Sequence, residues 1–241
     1  MAKLDLRTIK LKAAKFRLNN GLSQTEAINL KSLLLKLDVL TLFRPLSDNF
    51  SGMCLKDSYG KGYILINSNN PKGRQHFTIA HELYHLFEEG NIVPHKCNPG
   101  SSSKNSSEQN ADTFAAMLLM PEEGLWGLTP EHEFKEKNIS LATILKIEHY
   151  YSVSRSALLF RLQNINVLTK QNREMLGKLS PVATANDYGY DTSLYFGGNE
   201  GLVIGDFGEK ARKLFESRKI SEGHYLELLS KISNDEKPSK N

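Results

Sequence analysis

The sequence predicts an α+β fold: helices packed on a small, mostly antiparallel sheet, then a helix-turn-helix-like pair and a small C-terminal α/β extension. Three observations point there. Short β-like runs between residues 39 and 67 are bounded by turn residues, and helical apolar periodicity lies on both sides of them. A hydrophobic content of 39% and a charged content of 24% over 241 residues suit a globular chain with a sizeable core. No apolar run approaches the length of a membrane span.

Taken in order, residues 4–18 read as an amphipathic helix, with Leu6, Ile9, Ala13 and Phe16 on one face and Asn19-Asn20-Gly21 as its stop. Lys3, Arg7, Lys10, Lys12, Lys15 and Arg17 read as its solvated face. They supply much of a net charge of +4, a bias too weak to argue for nucleic acid. A second helix covers 30–37. Strands follow at 39–43, 50–55 and 63–67, separated by Pro45 with Asp48-Asn49 and by the hairpin-type turn Tyr59-Gly60-Lys61-Gly62. The turn Asn69-Asn70-Pro71 leads into a third helix. Residues 98–107, NPGSSSKNSS, read as a surface loop, and 107–120 as a helix halted by Pro121. Residues 140–150 and 154–163 form two helices around a tight turn. The stretch 187–206 is rich in Gly, Tyr and Asn, with helical runs at 209–217 and 221–232 and a frayed NDEKPSKN tail. The expected division is a core at 1–138, the helical pair at 139–166 and the extension at 167–241.

Cys54 and Cys97 are the only cysteines and have no paired spacing, which fits a reducing compartment rather than a disulfide framework. With no signal-peptide pattern at the N-terminus, a cytoplasmic location is expected.

The chemistry concentrates in the third helix, FTIAHELYHLFEE at 77–89. At about 100° per residue, His81 and His85 fall about 40° apart on one face, while Ile79, Leu83, Leu86 and Phe87 fall opposite. Core packing explains the leucines but not the histidines. Two imidazoles one turn apart can converge on a single Zn²⁺, and Glu82 between them is placed to reach a water beside the ion, the H-E-x-x-H arrangement. A third protein ligand is required. Glu88, Glu89, His95, Cys97 and Glu108 are the downstream candidates. Glu88 and Glu89 would have to bend back along their own helix. Glu108 has the better setting, on a helix whose Ala111, Ala115 and Ala116 permit close approach. Asp112, one turn after Glu108, is placed to hold a ligand histidine's other ring nitrogen.

The two motifs R74-Q-H-F-T-I-A-H-E-L-Y-H and E108-x-x-A-D-x-F-A-A-x-L-L-M-P121 together resemble the ImmA/IrrE family of bacterial and phage metallopeptidases, as does the preceding I64-L-I-N-S. The resemblance covers about residues 10–165, including the helical pair. It implies a zincin-like core, one Zn²⁺ (with Mn²⁺ able to replace it) on His81, His85 and Glu108, and Glu82 as general base. It also implies cleavage of one partner protein, an XRE-type helix-turn-helix repressor or antitoxin encoded by a neighbouring gene, which derepresses a mobile element, phage or stress response. Tyr84 stands where the family commonly has Gly, and Asp112 where it commonly has Asn.

An oxyanion stabiliser is not fixed by the sequence; Tyr84, His149, Tyr188, Tyr190 and His224 are eligible. Two other function classes compete: a non-catalytic repressor binder or the toxin of a toxin–antitoxin pair, and a DNA-binding regulator acting through 140–163. In the latter, Ser154, Arg155 and Arg161 would meet DNA. Leu158, Leu159, Phe160 and Leu162 leave that helix little polar face, which argues against direct nucleic-acid contact.

Overall fold

The strand runs between residues 39 and 67 form the centre of the molecule. In a computed structural model, which describes residues 4–89 and 105–230, β1 (Leu40–Arg44), β2 (Gly52–Lys56), β3 (Gly62–Asn67) and β4 (Val203–Ile204) make one sheet in the order β2-β3-β1-β4. The expectations for His95, Cys97, residues 98–104 and the terminal tail lie outside the described residues. β2 and β3 pair antiparallel, β1 and β4 antiparallel, and β1 and β3 parallel with Leu40 opposite Tyr63. The β2–β3 turn is fastened by Asp57, whose Oδ1 accepts from the Tyr59 and Lys61 amides at 2.9 Å each, and Gly60 supplies the left-handed residue at φ +86°.

The helices are α1 (Leu6–Asn19), α2 (Leu30–Lys36), α3 (Lys72–Phe87), α4 (Ser106–Leu119), α5 (Glu122–Leu128), α6 (Glu131–Glu136), α7 (Leu141–Tyr151) and α8 (Arg155–Asn164). After them come α9 (Lys170–Gly177), α10 (Pro181–Asp187), a 3-10 turn at Thr192–Tyr195, α11 (Phe207–Glu216) and α12 (Glu222–Ser230). Among the described residues no helix is long and apolar enough to cross a membrane.

α3 packs on the sheet, α4 on α3 and α1 on α4. The alanines of α4 permit this: Ala111 and Ala115 are fully buried at the contact. Ile64 and Ile66 from the sheet, Ile79 and Leu83 from α3, and Phe114 and Leu118 from α4 fill the core. Because α3 is covered by both sheet and α4, its burial is not one-sided. Every residue from Thr78 to Leu86 is buried, the histidine face included, whereas Phe87, expected in the apolar stripe, is 41% exposed.

Arg17 also departs from expectation. It is not on a solvated face but buried, with Nε donating to the Leu118 carbonyl at 2.8 Å and Nη1 to the Ser23 and Glu26 carbonyls. Burial pushes its guanidinium down to about 10.

The C-terminal segment joins the sheet through β4 and reaches the start of α3. The Lys72 amide donates to Phe196 O at 2.9 Å, and the Gly198 amide to Ser68 O at 2.9 Å. The buried Gln75 amide donates to Ser68 O, Asn70 O and Gly198 O while accepting from Asn199 Nδ2, so each of its polar atoms is satisfied. A Cβ on Gly197 would lie 2.9 Å from the Ser68 and Asn69 carbonyl oxygens; only glycine lets the backbones come this close.

Candidate metal centre

Helical spacing puts His81 and His85 one above the other on α3, and α4 crosses them with Glu108 in its first turn. The two Nε2 atoms are 3.1 Å apart. Glu108 Oε2 lies 3.4 Å from His81 Nε2, and Oε1 3.4 Å from His85 Nε2. Two zinc–ligand bonds of about 2.0–2.1 Å at a tetrahedral angle separate their donor atoms by about 3.3–3.4 Å. The donor set therefore has the spacing a tetrahedral ion requires.

The other side of each ring confirms the fit. His81 Nδ1 lies 2.9 Å from Asp112 Oδ1, and His85 Nδ1 2.5 Å from Glu89 Oε2. A carboxylate accepts, so both rings carry their proton on Nδ1 and turn the Nε2 lone pair inward. At 3.1 Å the two Nε2 atoms either share a proton or, with both rings neutral, turn their lone pairs on a common cation. Burial disfavours a charged His81, yet its hydrogen bonds to Asp112 and Glu108 and the charge of Glu82 raise it to about 10. The cluster therefore carries enough negative charge to draw a cation to the point where the rings meet.

Glu82 is fully buried in the middle of this helix. Neither of its oxygens has a hydrogen-bond partner among the described residues. The buried Cys54 thiol of β2 is held protonated, by burial first and then by the negative charge of Glu82. A buried carboxylate this poorly satisfied is costly to keep, and it sits one residue from a metal ligand.

His81, Glu82, His85, Glu108 and Asp112 are thus brought together as the spacing predicts. Glu89 is, as expected, outside the donor set, but it has a role that its spacing was not read for. Dismissed as a ligand, it instead holds His85 from behind, its second oxygen accepting from Ser107 Oγ of α4 at 2.5 Å. The signal was available: Glu89 follows His85 by the same four-residue step by which Asp112 follows Glu108.

The eligible oxyanion groups scatter. Tyr84 is buried, its ring 5.5 Å from that of Phe114 and beneath Lys12 Nζ. His149 stacks on Tyr190 with ring centres 4.6 Å apart, and its Nε2 is 3.2 Å from the Tyr195 hydroxyl. Tyr188 is exposed at the end of α10. His224 lies on α12, which has no buried residue and packs on α11 through the Phe215–Tyr225 stack. In the helical pair, Arg155 bonds Glu148, and Arg161 Nε donates to the Met120 carbonyl at 3.1 Å. Both arginines are buried in the fold.

No curated protein matches the chain. Residues 35–163 match the IrrE N-terminal-like domain family, Peptidase_M78. That span is more than half of the 241 residues and contains both helices of the metal centre, so the chain belongs to this family and is a metallopeptidase of the ImmA/IrrE type.

Proposed function

We propose that the protein is a cytoplasmic zinc endopeptidase that cleaves one partner protein, an XRE-type helix-turn-helix repressor or antitoxin. The observation that carries the chemistry is the convergence of His81 Nε2, His85 Nε2 and a Glu108 oxygen within 4.8 Å of one another, beside the buried Glu82. The partner class rests on the family resemblance alone.

His81, His85 and Glu108 would hold the ion; zinc suits two imidazoles and a carboxylate, and manganese can take the same donors. When bound, it supplies Lewis acidity toward the scissile carbonyl and lowers the pKa of a water to about 7. Asp112 and Glu89 keep the two rings in the tautomer that offers Nε2. Glu82 accepts the proton of the attacking water as the new C–O bond forms. It then delivers that proton to the amine as the C–N bond breaks.

The test incubates the purified protein with the repressor encoded beside it and follows cleavage on a gel. Glu82→Gln should bind zinc with wild-type stoichiometry and cleave about 10²–10⁴-fold more slowly. Equal cleavage by Glu82→Gln and wild type overturns the general-base assignment. Cleavage by a metal-free His81→Ala overturns the site.

A further inference from the structure

A cavity of about 310 Å³ opens where the first turns of α3, α8 and α10 meet the 3-10 turn at Thr192–Tyr195. Pro71, Pro181, Val182 and Leu194 make much of its wall apolar, and Arg155 and Ser156 supply its polar side. This is the small end of the size range of ligand sites.

Arg155 is 4% exposed. Its Nε and Nη2 bond the Glu148 carboxylate, and Nη2 also donates to Thr184 Oγ1 at 3.1 Å. Nη1 is buried and has no hydrogen-bond partner among the described residues. A guanidinium nitrogen shut away from water without an acceptor is costly, so it marks a place for one. Arg155 and Ser156 also open the ten-residue α8. Ser154 caps this helix: its Oγ accepts from Ala157 N and its carbonyl from Leu158 N. The two amides before these precede the helical ladder and remain free for an acceptor.

The charge balance narrows the ligand. Glu148 is fully buried and neutralises Arg155, while Tyr195 donates to it at 2.8 Å. Lys72 opens α3 beside Pro71, but Asp191 stands within reach of its charge, so the described residues around the cavity offer little excess positive charge for a dianion. A singly charged oxyanion on an apolar body matches both the donors and the walls.

We propose that this cavity binds a small organic carboxylate, with an oxygen on Arg155 Nη1 and the first amides of α8 and the tail against Pro71, Val182 and Leu194. The site is separate from the metal centre: Pro71 precedes His81 by about 15 Å of helix rise at about 1.5 Å per residue. It does not depend on the peptidase reading.

The test is calorimetric titration of the full chain with hexanoate, hexanol and inorganic phosphate. Hexanoate should bind saturably, and the other two at least about tenfold more weakly, since each lacks one half of the match. Val182→Trp fills the cavity from its half-buried rim and leaves the Arg155–Glu148 pair intact. It should weaken hexanoate by about tenfold or more, and Arg155→Gln likewise. Arg155→Gln also strips Glu148 of its partner, so Val182→Trp decides the result. Phosphate binding as tightly as hexanoate would reduce the site to an ion site, and equal hexanol binding to a greasy crevice. Unchanged hexanoate affinity in Val182→Trp would put the ligand elsewhere. Each of these overturns the proposal.

Discussion

Removing the carboxylates behind the histidines should weaken metal binding unequally. Asp112 and Glu89 each fix the proton of one ligand ring on Nδ1; without them, an imidazole divides between tautomers and its Nε2 is less basic. Loss of such an outer partner costs about 10–100-fold in affinity, or about 1.4–2.7 kcal/mol. The structure orders the two. The Asp112 side chain is 29% exposed, so water can replace part of what it does, whereas the Glu89 side chain is 12% exposed and is itself held by Ser107. Asp112→Ala should fall near the tenfold end of that range and Glu89→Ala near the hundredfold end. Asp112→Asn keeps an acceptor oxygen and should lose only a few-fold. The two carboxylates act on different rings, so the double alanine variant should lose about the product, roughly 10³-fold. The assay is competition for zinc against a chromogenic chelator at pH 7, with circular dichroism to confirm folding. Alanine variants that both bind within about twofold of wild type would refute the tautomer argument, as would Asp112→Ala weakening the site more than Glu89→Ala.

Other outcomes follow from the same geometry. Chelation should lower the Tm of the wild type and leave His85→Ala unmoved, because an ion held at about 1,000 times its Kd contributes roughly 4 kcal/mol; equal shifts in both proteins would place the ion elsewhere. Gly73→Ala should destabilise by about 1–3 kcal/mol, since its Cβ would sit 2.8 Å from Ser154 N and 2.9 Å from Val153 C; an unchanged Tm by differential scanning fluorimetry rejects that packing. His76 is half-buried with Nδ1 donating to Ser152 O at 2.9 Å, and its partial burial lowers its pKa from the ordinary 6.5. The unfolded chain therefore takes up the proton first, so this contribution is complete above pH 6.5 and is lost as pH falls below it. The stability difference between wild type and His76→Gln should shrink from pH 7 to pH 5 in urea titrations, and a difference that grows on acidification rejects it.

Much of this was legible in the sequence because it is periodic. The β2–β3 hairpin, α1, α3 and α4 announce themselves by spacing, and the ligand set follows from two of those helices. What was missed has no period. The parallel pairing of β1 with β3 is set by tertiary packing, since the residues of β1 suit either direction. α5 and α6, six or seven residues each, are too short for a stripe to show. Arg17 looks like one more cation on a basic face; only the Leu118, Ser23 and Glu26 carbonyls meeting there make it a core residue. Glu89 is not a ligand, as its place on the His85 helix implies; its hold on the His85 ring depends on Ser107 of α4, a contact that sequence spacing does not show.

The segment after residue 166 shows why a stretch without a motif can still belong to a site. Its strand is only Val203–Ile204, and its holds on the start of α3 are backbone amides and one asparagine, none of which leaves a pattern in sequence. Yet they meet the core at two ends of one lever. β4 pairs with β1 at the sheet edge, and residues 196–199 grip the loop after β3 and the first turn of α3 through Ser68, Lys72 and Gln75. The ligands His81 and His85 lie further along that same rigid helix, so a tilt at Gln75 is carried to Nε2. The spacing of Nε2 and Glu108 atoms at 3.1–3.4 Å leaves little room for such a tilt, because a site held loosely by about 1 Å no longer presents its donors together. On this geometry residues 196–204 fix where α3 starts, and with it the position of the helix that carries His81 and His85.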